Sequence, residues 1–138
     1  MRAEAIFGPV SVLALWTGAV LLGTGFRRVS AVQRGRVPQG AFRYGESPEV
    51  PDNLRVWNRN LMNLLEMPIL FYVVCIAFYV TRRVTPDVVV LGWVYVALRL
   101  LHSFVHLTSN RVIVRLGLFA VGNFVLISMW IRFVIRVL

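Results

Sequence analysis

Residues Val88 to Leu107 read VVVLGWVYVALRLLHSFVHL, an unbroken apolar run whose one formal charge is Arg99. At about 1.5 Å per residue a helix of this length crosses the ~30 Å hydrocarbon core of a bilayer. A helix also satisfies its own backbone polar groups there. Three further runs repeat the pattern: Ala5 to Phe26 carries no charge, Leu61 to Val80 carries only Glu66, and Leu116 to Ile135 carries only Arg132. At 138 residues, 58% hydrophobic and 15% charged, the chain fits one domain whose apolar excess faces lipid. The expected fold is an all-α integral membrane four-helix bundle. Its helices are expected at 5–28, 54–81, 86–108 and 112–136, with a cytoplasmic loop at 29–53.

Arg2 before an apolar run resembles the start of a secretory signal. The run is long for a signal core, however, no small-residue cleavage site closes it, and an arginine cluster follows, so it is read as the first span. All fifteen basic residues are arginine. Nine of them (Arg27, Arg28, Arg34, Arg36, Arg43, Arg55, Arg59, Arg111 and Arg115) fall at or between spans one and two or spans three and four. The other end has Arg2, Arg82, Arg83, Arg132 and Arg136. The positive-inside rule then puts both of those connections in the cytoplasm and both termini on the non-cytoplasmic side. The net charge of +9 sits at membrane borders, where anionic lipid is the ordinary partner, and no nucleic-acid role is assigned. Cys75, the one cysteine, excludes an intrachain disulfide and reads as a buried packing residue.

The connection RRVSAVQRGRVPQGAFRYGESPEVPDNLR, from Arg27 to Arg55, holds Gly35, Pro38, Gly40, Gly45, Pro48 and Pro51 and reads as turns. The first helix can continue through its arginines. Asp52 or Asn53 is the candidate cap of the second helix, and Pro86 suits the start of the third. The short connections imply antiparallel neighbours.

Within the spans, Arg59, Asn63 and Glu66 are spaced i, i+4, i+7, and Arg99, His102 and His106 are spaced i, i+3, i+7. Each set therefore lies on one helix face. A charge facing lipid costs several kcal/mol, so such faces turn inward and pair, with Glu66 opposite Arg99 or His102. A structural network that glues helices and a binding site are both consistent with this. Two histidines four apart without a third ligand make a weak zinc signal, and no metal is expected. The accumulation of Arg59, Asn63, Glu66, Arg99, His102, Arg115 and the first-span exit at Arg27 and Arg28 favours a site with several cations and one carboxylate. That composition suits a small peptide with more than one anionic group and an ammonium.

Two stretches carry a resemblance to a known family: RNLMNLLEMPILF, from Arg59 to Phe71, and LRLLHSFVHLTSNRVIVR, from Leu98 to Arg115. With the four-span layout they resemble the membrane-associated proteins in eicosanoid and glutathione metabolism, the MAPEG family. The resemblance implies a homotrimer with glutathione bound between subunits near the cytoplasmic face. It implies that Glu66 holds the glutathione amino group, supported by Asn63 and Arg59. It further implies that Arg99 and His102 line the pocket and that Arg27 or Arg28 reaches it. Arg115 matches the arginine facing the thiol. A cation at a helix N-terminus, where the dipole is also positive, favours the thiolate. The sequence departs from the catalytic pattern where His106, Phe119 and Leu116 stand in place of two tyrosines and a serine, and Pro68 comes early. His106 is then the candidate replacement donor beside Arg115.

The expectation is a glutathione-dependent transferase or peroxidase of a bacterial inner membrane, with glutathione as co-substrate and a lipophilic electrophile reaching the site from the bilayer. The alternative is a non-catalytic lipid-binding or scaffold protein with an inherited polar pocket. A transporter subunit is a third reading, weakened by the lack of an inverted repeat.

Overall fold

The computed structural model describes residues 2–43 and 47–137, and all regular structure among them is helical. A 3-10 turn at Ala3–Ile6 leads into α1 (Phe7–Gln33); a second 3-10 turn at Gln39–Phe42 precedes α2 (Asp52–Leu65) and α3 (Met67–Val80); α4 (Pro86–Leu107) and α5 (Val112–Val137) follow. Four segments are long and apolar enough to cross a membrane: Ala3–Gln33, Asp52–Val80, Pro86–Leu107 and Val112–Val137. Their outer faces are apolar too, with Leu15, Leu22, Phe124 and Ile135 exposed and Ile113 86% exposed. Water would penalise such a surface, and lipid does not.

The third segment begins as its sequence demands. Thr85 is extended and Pro86 occupies the first helical turn, where its missing N–H costs nothing. The second segment differs from the single helix expected at 54–81. It breaks at Glu66, whose ψ of −89° is not helical. Pro68 is the physical reason, since it cannot donate to a carbonyl four residues back and its ring crowds that carbonyl. α2 ends with the Glu66 N–H on the Met62 carbonyl, and α3 starts anew. Asp52 and Asn53 do not cap α2: Pro51 holds the capping position and no side chain bonds there.

α1 continues beyond residue 28 to Gln33 and stops at Gly35, whose φ of +65° suits glycine. The Gly35 N–H bonds the Val32 carbonyl and the Arg36 N–H bonds the Ala31 carbonyl, which together form a Schellman stop. The next residue, Val37, then packs with Ala31, Ala41, Val50 and Leu54 in a small core of its own. The connection is thus tied to both helices that it joins.

α1 runs parallel to α4, with Gly8 against Trp93 near one end and Trp16 bonded to Ser103 further along. A Cβ on Gly92 would lie 3.1 Å from Pro9 Cγ, so small residues set this crossing. α5 runs antiparallel to α4, linked by Asp87, which accepts from Arg132 (2.7 Å) and Arg136 (3.2 Å). The main core joins Leu13 and Val20 of α1, Phe71, Val74, Cys75 and Phe78 of α3, Tyr95 of α4, and Leu126 and Met129 of α5. Phe71 stacks on Tyr95 with ring centroids 4.6 Å apart.

Candidate functional site

The C-terminal half of α4 carries four buried polar side chains: Arg99, His102, Ser103 and His106. Arg99 is 2% exposed, and its guanidinium lies 5.0 Å from both the Tyr95 and the Phe119 ring centroids. Its Nη2 donates to Oδ1 of Asn123 on α5, while Nε and Nη1 have no hydrogen-bond partner among the described residues. Two aromatic faces and an amide oxygen hold this charge. The expected pairing with Glu66 is not made: Glu66 is exposed at the break between α2 and α3. Among the described residues, the ion pairs are Arg55 with Asp52, and Arg132 and Arg136 with Asp87.

The reason lies in which face of α2 turns inward. Leu54, Asn60, Leu61 and Leu64 are its buried residues, whereas Arg59 is exposed and Asn63 half-buried. Asn60, 0% exposed, donates through Nδ2 to Ser103 Oγ at 2.7 Å, and Trp16 Nε1 donates to the same hydroxyl at 2.9 Å. This node ties α1, α2 and α4 together. Asn60, Ser103, Trp16 and Asn123 were not marked by sequence reasoning, which followed charged residues. An amide inside an otherwise apolar span, as at Asn123, is the signal that would have found it.

One α4 turn beyond Arg99, His102 reaches a cavity of about 240 Å³ lined also by Asn63, Val112, Arg115, Leu116 and Phe119. Arg115 lies in the first turn of α5, where the helix dipole is positive. Its Nη1 donates to Asn110 Oδ1 at 2.6 Å. Asn110 sits in the turn before α5 with φ of 48°, a conformation that asparagine tolerates, and its N–H bonds the Val105 carbonyl at 2.8 Å. The same asparagine therefore closes α4 and steers Arg115.

Of the expected site residues, the single chain brings Asn63, His102 and Arg115 to one cavity. Arg99 stands behind it, against the Phe119 wall. His106, expected as a donor beside Arg115, is 1% exposed and does not line the cavity; both of its ring nitrogens lack hydrogen-bond partners among the described residues. It is buried on α4 one turn beyond His102, with the two rings edge to face and their centroids 5.9 Å apart. Arg59 and Glu66 are exposed. Arg28 donates to Asn58 and lies over the Phe42 ring, and Arg27 lies over Trp57 at 4.3 Å, so neither lines this cavity within one chain.

Comparison with curated proteins and with solved structures finds no significant match. The model of the MAPEG family, whose members include glutathione transferases and peroxidases as well as non-catalytic proteins, matches residues 6–135. Four apolar helices and a match over almost the whole length agree, and the chain belongs to the MAPEG family as an integral membrane protein.

Proposed function

We propose that the chain is a membrane-embedded glutathione-dependent transferase or peroxidase acting on lipophilic electrophiles. The observation that carries this reading is the convergence of Arg115, His102 and Asn63 on one cavity with apolar walls at Val112, Leu116 and Phe119. A guanidinium, an imidazole and an amide fit an anionic peptide thiol in kind. The volume of about 240 Å³ is below the ~300 Å³ at which typical ligand pockets begin, so one chain suits one end of the ligand. Glu66 and Arg59, both exposed, are left to meet the ammonium and a carboxylate outside the cavity. A homotrimer completes the site in this reading, with Arg27 or Arg28 supplied by a neighbouring subunit.

Bound glutathione would supply a thiol: with a chlorinated nitroaromatic, a sulfur–carbon bond forms and chloride leaves; with a lipid hydroperoxide, two thiols become a disulfide as the hydroperoxide becomes alcohol and water. Arg115, aided by the α5 dipole, holds negative charge on the sulfur. His102 orients the ligand against the apolar wall. In this reading both connections flanking this end lie in the cytoplasm and the termini on the non-cytoplasmic side of a bacterial inner membrane; the arginine distribution supports that orientation. Calorimetric titration of purified protein with glutathione, followed by turnover of both substrate types, tests the reading. Binding and turnover are expected, and no heat of binding at millimolar glutathione overturns it.

A second reading is a non-catalytic lipid-binding or scaffold protein. It is favoured by Arg115 being engaged by Asn110 and by the removal of His106 from the cavity. It expects Arg115→Ala to leave cellular function intact, so a phenotype as severe as deletion excludes it.

A further inference from the structure

On another face of α1, between its last turns and the start of α2, lies a groove of about 620 Å³. Its floor is apolar. Phe26, Leu54 and Trp57 line it, and the indole can lie against α1 because residue 23 is glycine: a Cβ there would come 2.6 Å from Trp57 Cζ3. Its rim is cationic, with Arg27 over the Trp57 ring and Arg34 and Arg36 one turn further on. The stop at Gly35 turns the chain so that Arg34 and Arg36 both reach this rim. Among the described residues no carboxylate pairs with any of the three, and none lines the groove. The Ser30 hydroxyl and the Asn53 amide add donors.

The position along the span decides between candidate ligands. Phe26 ends the uncharged run of α1 and is exposed, and Arg27 is the first charge after it. The groove therefore straddles the boundary between hydrocarbon and headgroups, where an aromatic side chain and arginines are at home. Guanidinium groups bind phosphate through paired hydrogen bonds, which a cluster of three can supply from several sides. We infer that this groove binds the phosphate headgroup of an anionic phospholipid, with an acyl chain lying along Phe26, Leu54 and Trp57. Within one chain the groove shares no lining residue with the Arg115 cavity, and the inference does not depend on thiol chemistry.

The test equilibrates detergent-purified full-length protein with vesicles of equal phosphatidylglycerol and phosphatidylcholine, then measures retained lipid by mass spectrometry of the intact complex. Wild-type protein is expected to retain phosphatidylglycerol in preference. Arg34→Gln with Arg36→Gln, both at exposed positions, should lower that retention by about tenfold more than a charge-matched control, Arg43→Gln with Arg111→Gln. Equal losses in the two variants, or equal retention of phosphatidylcholine by wild-type protein, overturn the inference. Inorganic phosphate distinguishes a lipid site from a free-anion site. Failure to displace the lipid supports the assignment, and displacement at equal concentration overturns it.

Discussion

Arg99 sits in the apolar interior without a carboxylate, held by Tyr95, Phe119 and the amide oxygen of Asn123. Removing one partner of a buried charged group costs more than the bond itself contributes, because the charge keeps its desolvation penalty. Asn123→Leu is therefore expected to destabilise by about 1–3 kcal/mol, read as a lowered midpoint of thermal unfolding in detergent. Asn63→Leu, at a half-buried position, should shift the same midpoint by only about 0.5 kcal/mol or less. Arg115→Ala is expected to reduce glutathione-dependent turnover about a hundredfold, the scale at which a transition-state charge stabiliser is lost. At this scale the sequence was partly legible. Arg99, His102 and Arg115 stood out as cations in or beside apolar runs. Asn60 and Ser103 did not, since neither carries a formal charge and the reading followed charges.

At the level of elements, hydropathy revealed four spans because lipid demands long apolar runs. The same demand hid their orientation. In a soluble bundle the apolar stripe marks the core, but here Met62, Leu65 and Ile69 are apolar and exposed, so periodicity found the Arg59, Asn63 and Glu66 face without showing that Asn60 turns inward. The break at Glu66 was announced only by Pro68. Pro68→Leu should allow α2 and α3 to join, and it is expected to keep or raise the unfolding midpoint while weakening glutathione binding in calorimetry, because Asn63 and Glu66 change direction. At the α1–α4 crossing, Gly92→Val places methyl groups where even a Cβ would lie 3.1 Å from Pro9. That overpacking should cost about 1–3 kcal/mol in the same unfolding measurement.

For the molecule as a whole, the two ends of the bundle are built differently. At one end Asp87 joins α4 to Arg132 and Arg136 of α5, Gly92 lets α1 approach closely, and Phe71 stacks on Tyr95. The other end holds the His102 and Arg115 cavity and the arginine-rimmed groove. Amide hydrogen exchange should follow this difference, with slow exchange across 88–96 and fast exchange across 108–112. The glycine at position 92 then has a consequence beyond close packing. With Trp16 bonded to Ser103 further along, it gives α1 two fixed points on α4, so the pair is braced as one strut, to which Asn60 fastens α2.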